Sequence, residues 1–173
     1  MVFIVLIFSV ISFLFSYVFM SVVVDGSSMY PTLRSGDVLM VHKTQSIKRG
    51  DIVVIKDGKD SNGNDKLIIK RVIATELDSV EIIDGVVKVN GIVLQEDYII
   101  EGYSDADDDL EFLVVPRGKF FYLGDNRLDS LDSRVKGTCI QSQIVGVVEE
   151  WTIPFKGINK FFYDIGSFLR GEN

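Results

Sequence analysis

Residues 80–94 read VEIIDGVVKVNGIVL, and this stretch decides the fold class. Three short runs rich in β-branched residues alternate with the pairs Asp84-Gly85 and Asn90-Gly91. Tight hairpin turns need a positive φ at their central positions, so such a pair between apolar runs is the strongest short-range hairpin signal. The stretch therefore predicts three antiparallel strands, Val80–Ile83, Val86–Val89 and Ile92–Leu94.

The same pattern continues on both sides of these hairpins. Short apolar runs recur between turn residues, which is typical of strands. The further predicted strands are Val38–Val41, Ile52–Ile55, Leu67–Ile73, Phe112–Val115, Phe120–Leu123 and Ile144–Val148. Since no helical runs alternate with them, the series predicts an all-β domain of antiparallel sheets over residues 25–153.

An apolar segment precedes this domain. No residue from Met1 to Val24 is charged, and Val, Ile, Leu and Phe dominate the segment. About 20 such residues in a helix cross a hydrocarbon core of about 30 Å. A cleaved signal peptide is disfavoured, because no Lys or Arg precedes the run and no Ala-x-Ala-like site ends it. Residues 1–24 are therefore predicted to be one transmembrane helix that anchors the chain.

The tail, residues 154–173, carries a helical pattern. Apolar residues between Phe155 and Leu169 recur at spacings of three, four and seven. Such spacing indicates a short amphipathic helix with one apolar face. Packing of this face on the β-core is the favoured interpretation, and a helix lying on the membrane surface is the alternative.

Composition excludes several classes of function. The net charge is −7, from 25 acidic and 18 basic residues, and no stripe rich in Lys or Arg is present. Nucleic acid is therefore not an expected partner. The single cysteine, Cys139, has no second thiol or histidine at metal spacing. The run Asp105-x-Asp107-x-Asp109 begins like a calcium loop, but Leu110 stands where such a loop needs Gly. We expect no metal and no cofactor.

A serine-containing turn follows the apolar segment. Residues 26–33 read GSSMYPTL. Pro31 fixes its own φ and restricts Tyr30, which would hold Ser28 at the start of a rigid turn. A serine hydroxyl is a weak nucleophile unless a base takes its proton, so the turn alone does not indicate catalysis.

A lysine interrupts the apolar run LIIKRVI at residues 67–73. Lysine in a strand usually faces solvent, but burial would lower its pKa from about 10.4. A neutral amine near pH 7–8 can act as a general base. Side chains alternate across a strand, so Lys70 and Arg71 point to opposite faces, and only one of them is expected to be buried.

A polar segment follows the predicted aromatic strand. Residues 124–134 read GDNRLDSLDSR, with three Asp, two Arg and two Ser. This density of hydrogen-bonding groups indicates an ordered loop, in which Asp132 and Arg134 can pair.

Together these segments resemble the type I signal peptidases, the leader peptidases of bacteria and bacterial-derived organelles. The resemblance covers nearly the whole chain, and its motifs occur in order behind the apolar segment: Ser28-Met29-x-Pro31-Thr32-Leu33, Arg49-Gly50-Asp51, Lys70-Arg71-Val72, Gly124-Asp125-Asn126 and Ser130-x-Asp132-Ser133-Arg134. Two positions depart from the family. Gly26 stands where some members carry a serine, and residues 74–78, ATELD, replace a Gly-x-Pro-Gly-Asp-like turn.

The resemblance implies a role for each matching residue. Ser28 would be the nucleophile, Lys70 the general base, and Ser130 the hydroxyl that orients the lysine. The single histidine, His42, is not at the position of the base. The residues that would support the loop are Asp125, Asp132 and Arg134, the last two as a salt bridge. This is a Ser-Lys variant of triad chemistry.

The resemblance also implies a substrate. The chain would be a membrane-bound serine endopeptidase that removes signal peptides from exported preproteins after small-x-small sites of the Ala-x-Ala kind. The substrate would bind as an extended strand between Val22–Gly26 and Leu67–Ile69. The residues expected to line its apolar pockets are Val24, Met29, Leu33 and Ile69.

The apolar segment predicts a single pass through the cell membrane, and the resemblance implies that the catalytic domain lies on the outer face. The bilayer would be a partner of the chain, and the protein export machinery a further one. Two alternatives stay open: a specialised processing peptidase of the same family, and an anchored module that binds extended peptides without cutting. A degenerate site would mark the second, but Ser28, Lys70 and Ser130 are all present. A self-cleaving repressor is disfavoured by the net negative charge and the apolar segment.

Overall fold

The computed structural model describes residues 2–100, 110–155, 160–161, 163–165 and 167. The described strands are all antiparallel and form two sheets with few helices beside them, so the predicted all-β class is confirmed. The helices and strands are α1 (Val2–Val18), β1 (Phe19–Val23), β2 (Val38–His42), β3 (Ile52–Lys59), β4 (Asp65–Ala74), β5 (Ser79–Ile83), β6 (Val86–Val89), β7 (Ile92–Val93), β8 (Leu110–Val114), β9 (Lys119–Leu123), α2 (Ser133–Lys136), β10 (Cys139–Ile140) and β11 (Ile144–Val148). Short 3-10 helices cover Arg127–Asp129, Gln141–Gln143 and Glu150–Phe155.

The strands form two sheets. The larger sheet has the order β1-β2-β11-β3-β4-β9-β10, and the smaller one has the order β7-β6-β5-β8. The stretch that predicted the hairpins forms β5, β6 and β7 of the smaller sheet. Asp84 and Asn90 have φ of 50° and 54°, and the glycine after each is also at positive φ, as such turns require.

The sequence predicted that the apolar N-terminal segment forms one helix up to Val24, and the structure shows that this prediction is wrong. Helix α1 ends at Val18, and the next five residues form β1, which pairs with β2 from Phe19↔His42 to Val23↔Val38. β-Branched residues favour strands, and β2 offers an open edge on which the segment can pair. Among the described residues, no helix has both the length and the apolar character that a membrane crossing requires.

Strand β4 lies in the middle of the larger sheet with apolar clusters on both faces. Val72 belongs to a buried cluster with Val53, Ile55 and Tyr122. On the opposite face, Ile69 packs against a second cluster, whose buried members are Val24, Met29, Leu33, Leu39, Val41, Ile52, Val54 and Val148. The centre of β4 is therefore shielded from solvent on both faces.

Two sequence predictions fall at least partly beyond the described residues. Residues 160–161, 163–165 and 167 are helical, while the other residues beyond Phe155 lie outside the described part of the chain. The acidic residues Asp105, Asp107 and Asp109 lie outside it as well.

Candidate active site

Ser28 lies in a tight turn that follows β1. The turn is closed by hydrogen bonds from the Tyr30 N–H to the Ser27 carbonyl and from the Leu33 N–H to the Met29 carbonyl, both 2.9 Å. Met29 and Leu33 are 2% and 0% exposed, so they fix the turn to the apolar core. Ser28 itself is half-buried, which leaves its hydroxyl on the rim of the domain.

The Lys70 amine reaches this hydroxyl from β4. Lys70 Nζ donates a hydrogen bond of 2.5 Å to Ser28 Oγ. The lysine is 4% exposed, and burial lowers its pKa from 10.5 to about 8, with Asp132 acting in the opposite direction. The structure thus brings a serine hydroxyl together with an amine that loses its proton near neutral pH.

Gly124 stands where β9 passes the nucleophile turn. Leu123, the last residue of β9, pairs with Arg71, so Gly124 directly after it lies beside Lys70. A Cβ at Gly124 would lie 2.2 Å from Ser130 Oγ and 2.4 Å from the carbonyl oxygen of Ser28. Only a residue without a side chain allows this approach.

Ser130 lies in the same site without the hydrogen bond that the sequence predicted. Its Oγ is buried and has no hydrogen-bond partner among the described residues, so the expected bond to Lys70 is absent. Polar groups buried without a partner are rare in folded proteins. The hydroxyl is therefore an unused hydrogen-bonding group next to the nucleophile turn.

Arg71 is buried as well, so the expectation that only one of Lys70 and Arg71 is buried is wrong. It is 7% exposed and forms a bidentate ion pair with Asp125, with Nε–Oδ1 2.8 Å and Nη2–Oδ2 2.7 Å. Burial lowers the pKa of Arg71, but its hydrogen bonds to Asp125 and the charge of that carboxylate outweigh this effect, so the pKa is raised. The guanidinium also lies 3.9 Å from the Tyr98 ring centroid. Arg71 keeps its charge because Asp125 pairs with it, whereas Lys70 is bonded to a neutral hydroxyl and its burial favours the neutral amine.

Asp125 also binds the nucleophile turn. Thr32 Oγ1 donates to Asp125 Oδ2 at 2.5 Å, and Arg71 Nη1 donates to the Gly50 carbonyl at 3.0 Å. Sequence reasoning quoted Arg71 and Thr32 in motifs but assigned no role to either. Their pairing with Asp125 has no signal in residue spacing, because the partners lie on separate segments.

The loop after β9 is held by a second ion pair. Arg134 Nε contacts Asp132 Oδ1 at 2.9 Å, and Asp132 Oδ2 accepts a hydrogen bond of 3.0 Å from the Gly124 N–H. Asp132 is completely buried, and Arg134 Nη2 also donates to the Arg127 carbonyl at 2.8 Å. The pair fixes the loop that carries Ser130.

Asn126 and Asp129, to which the sequence analysis gave no role, connect the loop to the nucleophile turn. The Asn126 N–H donates to the Ser28 carbonyl at 3.0 Å, and its Nδ2 donates to the Ser27 carbonyl at 3.3 Å. The Ser27 hydroxyl donates to Asp129. The loop therefore holds Ser27 and Ser28 in place through contacts of its backbone and its side chains.

The four predicted pocket residues lie together in one apolar cluster. Three of them, Val24, Met29 and Leu33, are at most 4% exposed, whereas the side chain of Ile69 is partly exposed to solvent. His42 lies elsewhere, at the end of β2, with Nδ1 3.6 Å from the Glu149 carboxylate. In the described part of the chain, no three His, Cys, Asp or Glu side chains gather as metal ligands would.

Comparison with known proteins identifies the family of the chain. Residues 1–152 match the family described as "Signal peptidase, peptidase S26". Signal peptidase I T of Bacillus subtilis (strain 168) is 37% identical over 153 residues, which cover 80% of this chain and 76% of that protein. Thylakoidal processing peptidase 1, chloroplastic, of Arabidopsis thaliana is 37% identical over 157 residues, 82% of this chain and 44% of that protein. A crystal structure of a signal peptidase I from Enterococcus faecalis V583 is 31% identical, with a TM-score of 0.48 over 59% of this chain and 96% of that chain. The chain therefore belongs to the signal peptidase family, peptidase S26.

Proposed function

We propose that this signal peptidase cuts preproteins with Ser28 as the nucleophile and Lys70 as the general base. Its family makes the chain a serine endopeptidase of the signal peptidase I type, which removes signal peptides. One observation carries the assignment of the two residues, namely the 2.5 Å hydrogen bond between a buried amine and a half-buried hydroxyl.

The lowered pKa supports Lys70 as the base. A shift of the pKa from 10.5 to about 8 raises the neutral fraction of the amine at pH 7 from about 0.03% to about 10%, roughly 300-fold. A base works best when its pKa lies near the operating pH, since it must both accept the proton and give it back.

The reaction then follows from the geometry. Lys70 takes the proton of Ser28 while Oγ attacks the carbonyl carbon of the scissile peptide. The lysine ammonium gives that proton to the leaving amine as the C–N bond breaks. Water that loses its proton to Lys70 attacks the acyl-enzyme ester, and the protonated lysine returns that proton to Ser28 Oγ as the ester bond breaks.

The charge that develops on the substrate oxygen needs donors. Backbone N–H groups aimed at this oxygen stabilise the transition state most efficiently. The Ser28 N–H is the donor that the family resemblance implies. Gly26 has no hydroxyl to supply a second one.

The supporting residues fix the positions of the two reacting groups relative to each other. Asp125 connects β4 to the nucleophile turn through Arg71 and Thr32. Asp132 and Arg134 hold the loop of Ser130. The buried hydroxyl of Ser130, which lacks a partner in the described part of the chain, supports its role as the group that binds the lysine during the reaction.

The substrate would bind beside β1. This strand is at the end of the larger sheet and leads directly into the nucleophile turn, so an extended peptide can add to it as a further strand. The cluster that contains Val24, Met29, Leu33 and Ile69 has little exposed surface, so we expect it to accept small side chains rather than large ones. This supports cleavage after small-x-small sites.

Helix α1 would anchor the enzyme in the bilayer. Most of its side chains are apolar, and those whose burial is described are exposed, for example Phe3 at 81%, Phe13 at 70% and Tyr17 at 77%. A helix that is apolar on all sides needs an apolar environment. Of the predicted segment 1–24, we therefore propose α1 as the membrane-embedded part, while β1 joins residues 25–153 in a catalytic domain on the outer face, and 154–173 stays an amphipathic tail. The protein export machinery stays a proposed partner.

Cleavage of a defined preprotein tests the two catalytic roles. Detergent-solubilised full-length protein is incubated with a preprotein bearing an Ala-x-Ala site between pH 6 and 10, alongside Ser28→Ala, Lys70→Ala and the surface control Lys56→Ala. We expect a new N-terminus after the −1 alanine, a rise of the rate through about pH 8, and loss of cleavage in the first two variants only. Binding of the peptide without cleavage by the intact protein would leave the peptide-binding module instead. Cleavage restricted to one or a few of a panel of preproteins would favour the specialised peptidase.

A further inference from the structure

An ion pair outside the family motifs lies near the catalytic lysine. Lys136 Nζ pairs with Asp57 Oδ2, and their side chains are 28% and 19% exposed. Lys136 is the last residue of α2, and Asp57 lies in β3. The pair therefore connects the loop that carries Ser130 to the strand next to β4. The mechanism above uses neither residue.

The pair lies on the same side of the sheet as Lys70. Val53 is the cross-strand partner of Lys70, and Ile55, two residues further along the same strand face, lines one cavity with Asp57. Lys136 and Asp57 line a cavity of about 390 Å³ together with Tyr122, which lies on β9. Val53 and Lys70 are directly opposed and therefore share a face of the sheet. The cavity that holds the ion pair lies on this face, which also carries the Lys70 side chain.

The charged groups around Lys70 come from three segments. Asp125 and Asp132 lie after β9, but each already binds an arginine, Arg71 and Arg134. Lys136 belongs to α2 and Asp57 to β3. Burial has the largest effect on the pKa of Lys70 and lowers it. The charge of Lys136 lowers it further, while Asp132, Asp57 and Asp125 raise it. Tyr122, the phenol on this face, stays neutral because burial raises its pKa.

We propose that the Asp57–Lys136 ion pair sets the pH range in which Lys70 works as a base, and that its two members act in opposite directions. The proposal rests on the role of Lys70 given under the proposed function. Both residues act through the lysine and are positioning residues rather than catalytic ones.

The sign of each effect follows from Coulomb's law. A positive charge near Lys70 disfavours the ammonium form, so removing the charge of Lys136 stabilises the ammonium and raises the pKa. Removing the negative charge of Asp57 has the reverse effect. Removing both charges cancels most of the change.

Rate profiles test this prediction. The ratio kcat/KM is measured from pH 6 to 10 for the full-length wild type, Lys136→Gln, Asp57→Asn and the double variant. We expect the midpoint to move to higher pH in Lys136→Gln, to lower pH in Asp57→Asn, and only slightly in the double variant. Lys136→Arg keeps the positive charge and should keep the wild-type midpoint.

Lys56→Gln is the matched control. Lys56 neighbours Asp57 on β3, but its side chain is 53% exposed and its Nζ lies 2.9 Å from Asp65 Oδ2. Its substitution removes the same charge and should leave the midpoint in place. Circular dichroism shows which variants are folded, and Asp57→Ser replaces Asp57→Asn if the latter does not fold.

Two results would overturn the inference. One is a pair of single variants whose rates fall equally at every pH with unmoved midpoints, as a structural role of the ion pair would give. The other is a shift of both single variants in the same direction. A wild-type profile without the Lys70 ionisation would reject the proposed function itself, so the two failures are distinguishable.

Discussion

Replacing Gly124 by alanine tests how closely β9 must approach the nucleophile turn. The added Cβ would lie 2.4 Å from the Ser28 carbonyl oxygen, whereas ordinary van der Waals contact begins at 3.4 Å. Either the carbonyl or the end of β9 must therefore move by about 1 Å. The same carbonyl accepts the 3.0 Å hydrogen bond from the Asn126 N–H, so the displacement also weakens the contact that holds the nucleophile.

The expected magnitude follows from this displacement. Misplacing a reacting group by about 1 Å costs on the order of 100-fold in rate. Overpacking a tight site costs about 1–3 kcal/mol of stability. We expect Gly124→Ala to lose about 100-fold in kcat for preprotein cleavage, with thermal unfolding at a lower temperature.

Gly146→Ala is the matched control for overpacking. A Cβ at Gly146 in β11 would lie 2.3 Å from the His42 carbonyl oxygen, an equally severe overlap against β2. We expect a similar loss of stability with kcat close to the wild-type value at temperatures where the protein is folded. A wild-type kcat in Gly124→Ala, or an equal loss of kcat in both variants, would refute the argument.

Asp125→Asn leaves the buried guanidinium of Arg71 without its counter-ion and is expected to lower the free energy of unfolding by about 3–5 kcal/mol in a denaturant titration. Asp65→Asn, at an exposed pair, should not move the unfolding midpoint, and equal effects would contradict this distinction. Ser130→Ala removes a hydroxyl that has no partner among the described residues, so the free energy of unfolding should stay the same or rise while cleavage slows. A clear loss of stability would disprove the expectation about unfolding. Val10→Arg with Leu14→Arg should abolish binding of the full chain to phospholipid vesicles, since each arginine costs about 2.5–3.5 kcal/mol at the centre of a membrane helix; retained binding would argue against α1 as the anchor.

The strands were predictable because their signals are local. The pairs Asp84-Gly85 and Asn90-Gly91 fix two turns, and the flanking β-branched runs fill the strands between them. β1 was missed because its residues continue an apolar run, and such a run gives no periodicity that separates strand from helix. β10 spans only Cys139–Ile140, which is too short for any pattern.

The site was less predictable because its contacts connect distant segments. Asp125 lies 54 residues from Arg71 along the chain, so the sequence offered no reason to bury a second charge beside Lys70. Leu77 also adopts φ of 68°, in the region that favours glycine, within the turn that departs from the family pattern. The catalytic roles themselves came from family resemblance, because no spacing rule links Ser28 to Lys70.

The junction between α1 and β1 has a consequence for how the enzyme meets its substrate. The strand begins at the residue after the helix, and Lys43 holds the end of the helix through bonds of 2.8 Å to the carbonyls of Ser16 and Val18. No linker separates the two, so the position of the helix end restricts the position of the sheet. On the proposed placement of α1 in the bilayer, we expect the reactive hydroxyl to stay close to one height above the lipid, so that the distance of a cleavage site from the membrane becomes a criterion of selection.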